Sequence, residues 1–315
     1  MPLPLTSRPY IRIALLTLVP ALSFGACSSD KKAVDTSAST TSTTIDDSST
    51  PAATTNETSG AASISADCAK DKLALKTTGK LTIGTDKPAY SPWFSGDTPT
   101  NGKGFESAVA YAVADTLGFT KEDVTWSVVP FDKSYAPGTK DFDFDINQIS
   151  ITPDRAKVVD FSDGYYDVNQ AVVAMKDSRA AKATTIADLK SLKFGVQVGT
   201  TSLDFVKNVV APKAEPFVYN DTNGAKAALA ANQIDAIVVD LPTGFYISTA
   251  EIEGSVVAGQ FASQGGAEQF GMLFEKGSKL TGCVNEALAV LAESGKLAAI
   301  QEAELSTATN TPIFK

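Results

Sequence analysis

From residue 69 onward, stretches with an apolar residue at every second position alternate with stretches repeating every fourth, confining the chain to strands separated by helices. Leu81 and Ile83 share one face of a strand over 80–85. Phe105, Val109, Val113 and Leu117 then line one face of a helix that Gly118 stops. Val124, Trp126 and Val128 alternate as the next strand, and further strands are predicted over 142–149, 171–175, 194–197 and 269–274. Ala236 to Val239 is continuously apolar, the pattern of a parallel strand covered on both faces. Thr201 with Asp204 predicts a helix start, and 225–231 is helical by composition. The class is α/β. A chain of 315 residues exceeds what one core usually holds, and 43% hydrophobic residues can fill two.

Two passages mark where the chain crosses between lobes: the lysine-rich 176–182 and the glycine-rich 263–266. They predict one lobe from 68–173 plus 268–315 and another from 179–262, joined by two crossings. A ligand cleft is expected between them, at the carboxyl ends of the strands.

Ahead of the lobes, Arg8 and Arg12 precede an apolar run from Ile13 to Phe24 that is too short to span a bilayer. Residues 1–26 resemble a bacterial lipoprotein signal peptide in which Cys27 is acylated, with Phe24 standing where leucine is usual. Residues 27–67 are rich in Ser and Thr and read as a disordered tether, with a reach on the order of 35 Å. The chain is therefore expected outside the cell membrane, anchored through lipid on Cys27. Cys68 and Cys283 remain, an even pair expected as a disulfide in an exported protein.

Composition removes whole classes of chemistry. There is no histidine, so imidazole bases, Ser-His-Asp and Cys-His pairs and histidine-ligated metals are excluded, and no cofactor or metal is expected. With 27 basic against 36 acidic residues, a formal charge of −9 argues against a nucleic-acid partner.

Candidate binding residues cluster where predicted strands end. Ser150-Ile151-Thr152-Pro153-Asp154-Arg155 opens a helix with Thr152 as N-cap and Pro153 at its first position. There Arg155 offers a guanidinium fork to a carboxylate, or is a surface arginine on a capped helix. Gly199, Thr200 and Thr201 follow a strand and begin a helix, an arrangement suited to an anion or to plain capping. Asp240 ends the buried strand and is either the acceptor for an ammonium or an N-cap. Tyr90, Trp93 and Phe94 follow the first strand as a candidate pocket wall, with Asp86 and Glu106 as acids near the same edge.

Taken in order, Gly84-Thr85-Asp86, Tyr90-x-Pro92, Gly104-Phe105-Glu106, Ser150-x-Thr152-x-x-Arg155, Val159-Asp160-Phe161-Ser162, Asp188-Leu189, Gly195 to Thr201 and Ile234-Asp235-Ala236 resemble the extracytoplasmic solute-binding proteins of family 3. These are the polar amino-acid receptors of ABC importers. The resemblance covers almost all of 69–305 and implies a two-lobed, hinged, periplasmic-binding-protein-like fold. It implies Arg155, helped by Ser150 and Thr201, for an α-carboxylate, Asp240 for an α-ammonium, and Tyr90 and Asp86 toward the side chain. Its implied partners are a free amino acid and a membrane permease with a cytoplasmic ATPase; the protein itself is expected as a monomer and not an enzyme. Asn147 and Gln148 stand where the family commonly has small residues, implying a narrower, more polar pocket, and Asp145 lies inside a strand where an apolar residue is usual. One extra residue between Asp86 and Tyr90 leaves Tyr90 and Trp93 as alternatives for covering the ligand. With Asp86 and Glu106 at the side-chain end, glutamine, asparagine or a basic amino acid is expected over glutamate, aspartate or leucine. A dehydratase-like enzyme and a sensory receptor domain are the alternatives on the same fold.

Overall fold

The computed structural model describes residues 63–262, 268–305 and 311–315; the signal peptide, Cys27, most of the tether and the glycine-rich passage 263–266 lie outside the described residues. The strands are β1 (Leu81–Thr85), β2 (Val124–Val128), β3 (Phe144–Asp145), β4 (Val159–Phe161), β5 (Tyr166–Val168), β6 (Gln170–Met175), β7 (Phe194–Gln197), β8 (Phe217–Tyr219), β9 (Ala236–Asp240), β10 (Ser255–Gln260), β11 (Glu268–Phe270) and β12 (Leu273–Glu275). The helices are α1 (Phe105–Thr116), α2 (Phe131–Ser134), α3 (Pro153–Ala156), α4 (Ile186–Leu189), α5 (Thr201–Phe205), α6 (Thr222–Ala230), α7 (Leu241–Tyr246), α8 (Leu280–Glu293) and α9 (Lys296–Leu305).

Two sheets form two lobes. The first runs β2-β1-β3-β12-β4 and the second β10-β6-β9-β7-β8. In the first lobe the apolar stripe of α1 packs against the sheet with α8 and α9 beside it, around fully buried Trp93, Phe94, Phe105, Phe270 and Phe274. Cys68 is disulfide-bonded to Cys283 of α8, with Cα atoms 5.3 Å apart. In the second lobe Ala236 and Val238 of β9 join one core while Ile237 and Val239 join the other. Both faces of that strand are therefore covered, as its unbroken apolar run predicts.

Three assignments need correction. The first lobe was expected to extend to residue 173, yet β6 pairs with β9 and β10 in the second sheet. Its residues Ala171 to Ala174 are fully buried in a strand central to that sheet, so 176–182 is a turn within the second lobe. The two crossings instead run through β5 and β11, an antiparallel ribbon pairing Tyr166 with Phe270 and Val168 with Glu268. Second, the strand expected over 269–274 is broken into β11 and β12 at Gly271-Met272, because β11 pairs in the ribbon and β12 in the first sheet. Third, the C-terminal residues were assigned to the first lobe. Instead, Phe314 inserts beside Phe261 at a ring distance of 5.2 Å, and the Gln260 N–H donates to Pro312 O at 2.8 Å. The Ile186 N–H likewise donates to Lys315 O at 3.0 Å, so 311–315 is fastened to the second lobe while α9 packs on the first.

Candidate functional site

The carboxyl ends of β1, β7 and β9 point toward one cleft between the lobes, because parallel strands in both sheets deliver their following loops there. Asp86, Tyr90, Phe131, Asn147 and Gln148 line it from the first lobe. Gln197, Thr200, Thr201, Ser202, Thr222, Val238, Val239, Asp240 and Thr243 line it from the second. The space between these walls open to the centre of a water-sized sphere is about 60 Å3, and the cleft is open to solvent on one side.

Asp240 starts α7, but its side chain makes no capping bond. Its Oδ1 accepts from Gln170 Nε2 at 2.8 Å, and burial, reinforced by the charge of Glu268, holds its carboxyl well above the usual range. Such a carboxylate is stabilised in its charged form by an arriving cation. On the opposite wall Asp86 accepts from the Lys87 and Phe131 N–H groups, and burial raises it too. Asn147 Nδ2 is buried without a protein partner. Tyr90 lies across the cleft from α6, with Lys226 Nζ 5.2 Å from its ring.

The sequence-predicted residues divide into two groups. Asp86, Tyr90, Gln148, Thr200, Thr201 and Asp240 meet at the cleft. Trp93 does not: fully buried, it packs edge-on against Phe105, Tyr166 and Phe270, and its Nε1–H donates to Thr243 Oγ1 at 2.8 Å. Cis peptide bonds precede both Pro88 and Pro92 in this loop. Glu106, expected at the side-chain end, is fully buried under Gln148. Thr152 accepts from the Arg155 N–H at 3.2 Å and is the helix cap. The cap of α5 is Thr200 rather than Thr201, since Thr200 Oγ1 accepts from the Leu203 N–H at 3.1 Å; Thr201 is thereby turned to the cleft.

Arg155 is 8% exposed, and burial pulls its guanidinium below its ordinary value. Nη1 donates to Ser150 O at 2.7 Å in the first lobe and Nη2 to Gly199 O at 2.9 Å in the second, leaving three of its five N–H groups for other acceptors. Phe131 and Tyr135 flank it at 5.5 and 4.7 Å. Ser150 Oγ donates to Glu268 Oε1 at 2.6 Å and lies 3.3 Å from Thr201 Oγ1. Trp93, Arg155 and Ser150 thus each touch the opposite lobe, the contacts of a closed cleft. Sequence reasoning missed Phe131, Gln197, Ser202, Thr222, Val238, Val239 and Thr243. Gln197 and Val239 stand at or beside strand carboxyl ends, so the rule that located Asp240 also reaches them.

This two-lobed α/β architecture with a polar cleft at its strand ends defines a ligand-binding protein of the periplasmic type. Residues 81–306 match the bacterial extracellular solute-binding proteins, family 3, and the chain belongs to that family. The arginine-binding extracellular protein ArtP of Bacillus subtilis is 29% identical over 246 residues, covering 76% of this chain and 88% of that protein. An L-arginine-binding protein of Pseudomonas aeruginosa is 31% identical, covering 73% and 92%. Among solved structures, an ancestral arginine-binding protein bound to glutamine is similar with a TM-score of 0.62 and 29% identity, covering 72% of this chain and 98% of that one.

Proposed function

We propose that the protein is the extracytoplasmic receptor of an ABC amino-acid importer, binding a basic amino acid between its lobes and delivering it to a membrane permease. The observation that carries this reading is the charge of the cleft: Asp86 and Asp240 face it from opposite lobes, with Arg155 buried beside it. An α-carboxylate toward Arg155 and Thr201 offsets one positive charge. An α-ammonium toward Asp240 and a cationic side chain toward Asp86 then neutralise both acids, whereas a glutamate side chain would meet Asp86 as a like charge. The relatives named for arginine point the same way. Binding, not turnover, is the activity in this reading: the relatives are named as binding proteins, and the two acids of the cleft serve as counter-ions. Lipid on Cys27 holds the receptor near its permease in this reading.

Equilibrium dialysis of the mature chain against radiolabelled amino acids, with mass spectrometry of the recovered ligand, tests it. A basic amino acid retained and recovered unchanged is expected; chemical conversion of the ligand, or no retention of any amino acid, overturns it.

A further inference from the structure

Gln148 occupies a left-handed backbone conformation, φ 48°, and lines the cleft from the first lobe. Its main-chain N–H donates to Glu106 Oε1 at 2.6 Å, and its side-chain Nε2 donates to Oε2 of the same carboxylate. Glu106, in the first turn of α1, is fully buried and also accepts from the Tyr165 hydroxyl. No lysine or arginine pairs with it among the described residues. A primary amide has one donating and one accepting end. Gln148 spends one of the two N–H groups of its amide on Glu106, which fixes the amide's orientation, and the carbonyl Oε1 is the acceptor it keeps for a ligand.

We propose that Glu106 is a positioning residue that holds the Gln148 amide with its carbonyl oxygen available to the cleft, so that Gln148 selects ligand groups that donate hydrogen bonds. This deepens the receptor reading and rests on it for its ligand consequence. Protonation reverses the arrangement: an O–H on Oε2 would confront the NH2, so the amide turns over, its carbonyl accepts that proton, and the NH2 faces the ligand instead. Burial pushes Glu106 up to about 7, the hydrogen bonds from Tyr165 and Gln148 opposing it, so both states lie within an accessible pH range. Tyr165, Asp145 and Asp240 are the titratable groups facing this carboxylate, and burial raises all three. Their titration is separated from that of Glu106 by removing the latter. The sign follows: above about pH 7 the cleft gains an acceptor, and below it a donor, so affinity for a cationic ligand falls as pH falls.

Nitrogen-15 NMR of the mature chain tests the positioning without a ligand, the Gln148 side-chain amide being assigned by its loss in Gln148→Met. An exchange-protected pair whose shifts inflect near neutral pH, with no inflection in Glu106→Gln, is expected. A pair that exchanges like an exposed glutamine at pH 8, or the same inflection in Glu106→Gln, overturns the proposal. Should Glu106→Gln not fold, Glu106→Asp keeps the charge but withdraws it from Nε2, and loss of protection is expected there. Calorimetry with L-arginine as probe supplies the ligand arm: about tenfold weaker binding at pH 5.5 than at pH 8.5 in the wild type, and a flatter profile in Glu106→Gln. An equal pH dependence in the variant contradicts the proposal. L-arginine failing to bind while the NMR behaves as expected counts against the receptor reading and leaves the positioning of Gln148 supported.

Discussion

Asp240→Asn separates the two things a buried carboxylate does in this cleft. Asparagine is isosteric and keeps an Oδ1 for the Gln170 Nε2 bond, so only the charge is lost. An ammonium about 4 Å from that carboxylate gains about 4 kcal/mol at an effective dielectric constant of about 20. The ammonium can still donate to the amide Oδ1, which returns about 1 kcal/mol of it. The net loss of about 3 kcal/mol lowers affinity roughly a hundredfold. Because burial already opposes the charged form of Asp240, the empty variant should melt at the same temperature as the wild type or higher at pH 7.5. Titration calorimetry with L-arginine, paired with thermal melts of both empty proteins, reads the two effects separately. Affinity within threefold of wild type would refute the assignment of Asp240 to the ammonium.

Arg155→Lys keeps a cation but cannot bridge Ser150 O and Gly199 O with two arms; affinity should fall by about 2 kcal/mol in calorimetry, and an unchanged value would make Arg155 purely structural. Phe314→Ala opens a cavity beside Phe261 and should destabilise the second lobe by about 3 kcal/mol. Hydrogen exchange should then quicken at the Ile186 and Gln260 amides, which donate to the C-terminal tail. Because Cys68 and Cys283 close a loop spanning 215 positions, reduction should cost about 5 kcal/mol in a denaturant titration; no thiol released by reductant under denaturing conditions would mean the bond is not formed.

What was legible in the sequence was whatever depends on local pattern. Continuous burial of Ala236 to Val239, the stop of α1 at Gly118 and the cap at Thr152 follow from side chains within a few residues. Asp240 was legible because a strand's carboxyl end is a topological site. The lobe boundary was not, because Gln170–Met175 has the composition of a strand for either sheet, and only pairing with β9 and β10 decides. Trp93 was misplaced for a related reason. A loop aromatic beside prolines has the same sequence signature whether it faces ligand or core, and here Phe105, Tyr166 and Phe270 enclose it. Glu106 was placed at the cleft edge, whereas it lies under Gln148, which takes up its charge through two N–H groups 42 positions away. The attachment of Phe314 to the second lobe is invisible for the same reason, since Phe261 is distant in sequence and the Phe314 ring occupies the place that a side chain on Gly259 would fill.

The central claim is that this cleft holds a basic amino acid between lobes whose acids face each other across it. A thermal-shift screen of the mature chain against the twenty amino acids tests it most directly, since a ligand at 100 times its dissociation constant adds about 2.7 kcal/mol of stability. The account predicts that L-arginine or L-lysine gives the largest rise in melting temperature and that L-glutamate gives none. A largest shift from glutamate or aspartate, or no shift from any amino acid, would contradict it.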